Sequence, residues 1–290
     1  MWRNSLWSIV CLLILCGCEK VDLSEYLQNK EDGCRVSFVF GVISQSDFEP
    51  VSTRGQNGMA EIAKVMNFAV FKDGEKVKSI NMKNDDEGFG TVSLTLAEGH
   101  YQIVALAHSC AGNATISSPD KITFPNNKVT DTFCYYKEID VEGSKSYDAN
   151  MTRVVSMFRL SLTQEIPTDV TQMKFYYTGG SSTLDATTGL GCVNSRQTEL
   201  RDVSNRAAGQ VFETYTFPHE DYGEINMTIT ALTASGDAYK ELSLSAVPIT
   251  IRKITTYEGT MFDAAGQSSG AMTLQFTAGS DWEGEEKYKL

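Results

Sequence analysis

Val154-Val155-Ser156-Met157-Phe158-Arg159-Leu160-Ser161-Leu162 sets Val154, Ser156, Phe158, Leu160 and Leu162 at a spacing of two, with Arg159 and Ser161 between the apolar members. A period of two belongs to an extended chain whose alternate side chains enter a core, so this stretch reads as a half-buried strand. The same period recurs outward in both directions. It appears at Val36, Phe38, Phe40 and Val42, at Met66, Phe68 and Val70, at Val92, Leu94 and Leu96, and at Tyr101, Ile103 and Ala105. Beyond the quoted stretch it returns at Met173, Phe175 and Tyr177, at Ile225, Met227, Ile229 and Ala231, and at Met272, Leu274 and Phe276. Lys72-Asp73-Gly74-Glu75 reads as a hairpin turn and Glu98-Gly99 as another. Only 59–65 could hold a turn or two of helix. Short alternating strands separated by turn clusters specify an all-β chain of the sandwich class.

At 290 residues the chain exceeds one ordinary sandwich, which predicts two. The polar run Glu142-Gly143-Ser144-Lys145-Ser146-Tyr147-Asp148 interrupts the strand pattern and offers a boundary, giving domains at 35–145 and 146–290. A polar stretch, 18–34, reads as a tether before them.

Residues 1–17 read as an export leader. Arg3 supplies the positive start, and Leu6-Trp7-Ser8-Ile9-Val10-Cys11-Leu12-Leu13-Ile14-Leu15 is a nearly unbroken apolar run, too short to span a bilayer. Leu15-Cys16-Gly17-Cys18 then resembles a bacterial lipobox, with a small residue before the cysteine that would be lipidated. The expectation is cleavage before Cys18, diacylglycerol on its sulfur and acylation of the new amino group with palmitate-type chains. Each buried methylene of such chains contributes about 0.8 kcal/mol, enough in sum for a firm hold on an outer membrane. The net charge of −12 argues against nucleic acid and against anionic headgroups as electrostatic partners.

Of seven cysteines, Cys11 and Cys16 leave with the leader and Cys18 takes the lipid. Cys34, Cys110, Cys134 and Cys192 are widely spaced, without a CxxC pair, which disfavours zinc and redox roles. Export permits one disulfide, with Cys110 and Cys134 as the candidate pair.

No catalytic constellation stands out, and neither a cofactor nor a metal is expected. His100, His108 and His219 are the only histidines, none in HxH or HxxxH spacing. There is no GxSxG elbow. Asp85-Asp86-Glu87 lacks the alternation a calcium loop needs and reads as a solvated loop. The Gly-rich segment Tyr177-Thr178-Gly179-Gly180-Ser181-Ser182-Thr183 lacks the lysine of a phosphate loop, and with 184–191 reads as a polar connection between strands. The doublets Tyr135-Tyr136 and Tyr176-Tyr177 should each place one ring inward and one outward.

Several segments in order resemble the fimbrillin-like lipoproteins of the Bacteroides group, subunits and anchors of type V pili. They are the lipobox ending at Cys18, Asn67-Phe68-Ala69-Val70-Phe71-Lys72-Asp73-Gly74, and Glu98-Gly99-His100-Tyr101-Gln102-Ile103-Val104. Further on come Thr152-Arg153-Val154-Val155-Ser156-Met157-Phe158-Arg159, Phe175-Tyr176-Tyr177-Thr178-Gly179-Gly180-Ser181-Ser182-Thr183 and Tyr215-Thr216-Phe217-Pro218. Val247-Pro248-Ile249 and Tyr257-Glu258-Gly259-Thr260-Met261-Phe262 complete the set. The resemblance implies two transthyretin-like β-sandwich domains of Greek-key type, in a non-enzymatic structural subunit or anchor of a surface fimbria. It also implies other fimbrial subunits as partners, through exchange of β-strands. Stalk subunits of such families are cut after an arginine near the first strand and lose that strand, whereas anchors stay uncut and lipidated. Arg54, in Val51-Ser52-Thr53-Arg54-Gly55-Gln56-Asn57, is the candidate processing site. A different class, a surface lipoprotein that captures a glycan or a protein ligand, is the alternative.

Overall fold

The computed structural model describes residues 33–42, 56–262, 274–277 and 285–289. In chain order the first half holds β1 (Cys34–Val42), α1 (Gln56–Ile62), β2 (Val65–Lys72), β3 (Glu75–Lys83), β4 (Thr91–Leu96), β5 (Gly99–His108), β6 (Thr115–Ser118), β7 (Lys121–Thr123), β8 (Thr132–Val141) and β9 (Lys145–Arg153). The second half holds β10 (Ser156–Leu162), β11 (Val170–Thr178), β12 (Thr183–Asp185), β13 (Leu190–Gly191), β14 (Arg196–Asp202), β15 (Gln210–Thr216), β16 (Tyr222–Thr233), β17 (Ala238–Thr250), β18 (Ile254–Gly259), β19 (Leu274–Thr277) and β20 (Glu285–Lys289). The chain is all-β, as its periodicity predicts, and α1 overlaps the one segment expected to turn.

The first half forms a seven-stranded sheet in the order β3-β2-β5-β8-β9-β1-β4. β8 and β9 meet only at Phe133↔Arg153 and Cys134↔Thr152, so the sheet folds there into two layers, β3-β2-β5-β8 and β4-β1-β9. Phe38 and Phe40 from one layer pack on Phe68 from the other, with ring centroids 5.5 and 6.1 Å apart. The second half repeats the plan, with β14-β11-β16-β17 against β15-β10-β18-β20-β19. Its core includes Phe158, Leu160, Met173, Phe175 and Ile229. In both halves the opening strand is flanked by one antiparallel and one parallel neighbour: β4 and β9 around β1, β15 and β18 around β10.

Three features differ from the sequence reading. The run at 142–148 is not a boundary between domains. Its first three residues join β8 to β9, and β9 pairs in parallel with β1, so the first sandwich extends through Arg153. A division at 145/146 would therefore cut the start of a strand; Gly and Ser mark a tight connection as readily as a linker. Val154 does not share the core of Phe158. It precedes β10 and, with Val155, enters a third apolar cluster that draws on both halves. Finally, the Gly-rich connection is largely buried: β12 pairs with β7 of the first half, and β6-β7-β12-β13 form a small sheet between the sandwiches. Gly180 is required there, because a Cβ would lie 2.1 Å from Thr216 Oγ1.

Candidate functional site

β1 is the element that the fold places most tellingly. Val36, Phe38 and Phe40 are buried. Phe38 stacks on Tyr147 of β9 at 5.2 Å, and Phe40 meets Tyr135 of β8 edge-on at 5.7 Å. Burying each such side chain stabilises the seated strand by roughly 1.5–3 kcal/mol. The backbone is engaged on both sides. Phe40 N–H donates to Gly90 O at 2.8 Å, which makes the pairs Phe38↔Val92 and Val36↔Leu94 the hydrogen-bonded ones toward β4. The intervening Ser37 and Ser93 form a close pair, with hydroxyls 3.0 Å apart. On the other side β1 runs parallel to β9 from Val36↔Lys145 to Val42↔Met151. Loss of β1 would strip both neighbours of a partner and open an apolar slot. Cys18 and Arg54, the two sites expected from sequence, lie outside the described residues.

The histidines are accounted for singly. His108 is fully buried: Nε2–H donates to Asn67 Oδ1 at 2.8 Å, and Nδ1 accepts from Cys110 N–H at 3.2 Å. Burial pushes its pKa down to about 4. His100 is exposed, and its hydrogen bond to Asp140 at 2.8 Å raises its pKa. His219 donates from Nδ1 to Gly191 O at 3.0 Å. Cys34, Cys110, Cys134 and Cys192 are free thiols, and burial pushes Cys134 up to about 12. Among the described residues no group of His, Cys, Asp and Glu is arranged to hold a metal ion.

Sequence reasoning missed one polar assembly. Glu199 on β14 is buried and accepts from Tyr177 OH at 2.8 Å and from Arg201. Arg201 also donates to Glu213 O on β15 at 2.9 Å, and Arg159 on β10 pairs with the Glu213 carboxylate at 2.7 Å. An open cleft of about 550 Å³ lies beside it, lined by Arg201, Asp202, Gln210, Glu213 and Tyr215. Most of these polar groups are engaged with one another, so the assembly joins two sheets at their edges instead of presenting groups to a ligand. Its members are far apart in sequence, and only the alternation of Glu199 and Arg201 could have signalled a shared face.

With the seating of β1 and the polar groups around it described, comparison with known proteins gives the fold a setting. The family described as fimbrillin-A associated anchor proteins Mfa1 and Mfa2 matches residues 50–283. The chain belongs to this family. The family is described as one of fimbrillin-associated anchors. Among solved structures, a candidate adhesin from Bacteroides ovatus is similar in fold, with a TM-score of 0.51 and 13% identity over 80% of this chain and 88% of that one. A candidate adhesin from Bacteroides thetaiotaomicron gives 0.47 and 14% over 72% and 80%. The fimbrial anchor protein Mfa2 from Porphyromonas gingivalis gives 0.43 and 11% over 74% and 83%. A comparison with curated protein sequences returns no match.

Proposed function

We propose that this member of the Mfa1/Mfa2 anchor family is the membrane-proximal, lipid-bearing anchor of a surface fimbria. The carrying observation is how the first strand is seated: β1 is a central strand with three buried apolar side chains and partners on both sides. A subunit that polymerises by surrendering this strand must first be cut behind it. An anchor must keep the strand, because the strand is the covalent route from the sandwich back to Cys18. In this reading Cys18 carries the acyl chains in the outer membrane. The tether runs from it to 33, one residue short of the 34 expected because Cys34 opens β1, and two sandwiches meeting at Val154-Val155 stand above it. Other fimbrial subunits are the partners, joined by β-strand addition. Arg54 is the proposed cut point that would convert such a chain into a polymerising subunit, and the anchor role requires it to stay whole.

The test is palmitate labelling in cells, paired with the length of attached fimbriae. Cys18→Ala should abolish labelling and release fimbriae into the medium, while Arg54→Ala should leave both unchanged. Labelling that survives Cys18→Ala would remove the lipid anchor from the account. Fimbriae lost in Arg54→Ala would make the chain a processed subunit.

A further inference from the structure

A sandwich whose first slot is filled can accept a strand only at a free edge, and the equivalent edges of the two sandwiches are guarded very differently. β4 and β15 hold the same place in the repeated plan, each the outer antiparallel neighbour of an opening strand. The outward carbonyls of β15 are each occupied by a side chain. Gln210 donates to Val211 O at 3.1 Å, Arg201 to Glu213 O at 2.9 Å and Tyr177 to Tyr215 O at 3.0 Å. Two further edges carry familiar protection: β3 bears Lys76, Lys78 and Lys83, and β17 contains Pro248 and a kink at Ala246, whose φ is 51°.

β4 has none of these devices. Thr91-Val92-Ser93-Leu94-Thr95-Leu96 contains no charge, no proline and no glycine. The pairing of Phe40 with Gly90 fixes which backbone groups face β1, so the N–H and C=O of Ser93 and Thr95 point away from it. Among the described residues nothing bonds to them. Leu94 is half-buried at the margin of the core, where the side chain of an added strand would lie beside it. The edge also has an electrostatic signature: exposed Asp85, Asp86 and Glu87 precede it, and exposed Glu98 follows it.

We infer that the free margin of β4 is a docking edge for an extended strand of a partner subunit, uncharged in its middle and carrying Lys or Arg at its ends. This rests on the anchor reading, and it gives an anchor that keeps its own first strand a way to hold the next subunit. Main-chain bonds at Ser93 and Thr95 supply the pairing, and the acidic flanks select the ends. A second copy of this chain is a poor occupant, because antiparallel self-pairing would bring the acidic run of one copy against Glu98 of the other.

Hydrogen exchange on the full chain tests the edge first. The Ser93 and Thr95 amides should exchange fast while Val92 and Leu94 are protected; protection of all four in the free protein would mean the edge is already covered, and would overturn the inference. The probe is a short alternating Thr/Val peptide with lysine at both ends, compared with the same peptide ending in glutamate. The lysine form should bind about tenfold more tightly and slow exchange at Ser93 and Thr95. Ser93→Pro removes an outward N–H without touching the bonds to β1, and should abolish binding. Glu87→Lys with Glu98→Lys should erase the preference for the lysine peptide while leaving binding itself, which a folding defect would not do. Equal binding of both peptides, or binding indifferent to Ser93→Pro, would overturn the inference. Labelling at Cys18 reports on the anchor reading independently, so the two can fail separately.

Discussion

At His108 a single proton decides whether a buried network stays satisfied. Asn67 accepts from His108 Nε2–H and from Ala114 N–H at 2.9 Å, and donates to Asn81 at 2.7 Å and Asn113 at 3.1 Å. With Nδ1 accepting from Cys110 N–H, only the neutral imidazole fits; a second ring proton would face a donor. The folded pKa of about 4 lies below the ordinary 6.5, so below pH 6.5 the unfolded chain binds more protons. Stability from this group is therefore full above pH 6.5 and is lost as pH falls toward 4, by about 3 kcal/mol in all. Urea unfolding from pH 7.5 to 4 should show this slope in the wild type and lose it in His108→Gln; equal slopes would mean the imidazole stays solvated. The arginines separate by burial of their partners. Arg201→Ala strands the buried Glu199 carboxylate and should cost about 3 kcal/mol. Arg159→Ala breaks a half-exposed pair with Glu213 and should cost at most about 1 kcal/mol. Phe158→Ala, in the core of the second sandwich, should cost about 3–5 kcal/mol. If Arg159→Ala and Phe158→Ala cost the same in chemical denaturation, the register of β10 is wrong. Phe158 was legible from its period; the Glu199–Arg201–Glu213 bridge was not, since its value depends on which edges the fold brings together.

At the scale of elements, strands with local turns were the readable ones. Asp73 and Gly74 take φ of 52° and 80°, the two left-handed residues of a tight hairpin, and Asn/Asp-Gly between alternating runs announces such a turn. β1, β4, β11 and β16 follow their apolar period closely, whereas β2 is buried on both faces, Ala69 and Phe71 entering the third cluster. β9 was misassigned, because nothing local tells a strand that it will pair in parallel with one a hundred residues earlier. That pairing seats β1, and it carries a kinetic expectation. An arginine-specific protease should cut after Arg54 in the isolated chain, yet β1 should remain bound, since departure uncovers Val36, Phe38 and Phe40. Phe38→Ala should weaken its seat by about 3–5 kcal/mol and speed loss of the fragment. Size-exclusion chromatography with mass detection follows this directly. Prompt loss of the fragment from the cut wild type would show that β1 is not firmly held, and would favour a polymerising subunit over an anchor.

For the whole molecule the question is whether two sandwiches behave as two. The repeated strand plan suggests independent units, but the third apolar cluster draws Phe71, Leu106, Ile122 and Phe124 from the first half and Leu184, Phe217 and Ile254 from the second. Phe124 packs on Phe217 with centroids 5.4 Å apart, and β7 pairs with β12 through Thr123↔Thr183 and Ile122↔Leu184. Ala186 N–H donates to Pro119 O at 2.8 Å alongside them. Burial of Leu184 and Phe217 alone contributes roughly 3–6 kcal/mol to the junction, comparable to the net stability of a small domain. When coupling rivals the stability of either part, neither part unfolds alone at a lower temperature. An anchor under tension between membrane and filament would need this, since a hinge at Val154-Val155 would be the first place to give. The wild type should therefore show one calorimetric transition. Leu184→Ala removes a fully buried side chain that belongs to neither sandwich core, at a cost of about 2–5 kcal/mol. It should split the transition into two, while Phe158→Ala should lower a transition that stays single or splits less. Two transitions already present in the wild type, or a single one that survives Leu184→Ala with only a lowered midpoint, would show that the small sheet does not couple the halves.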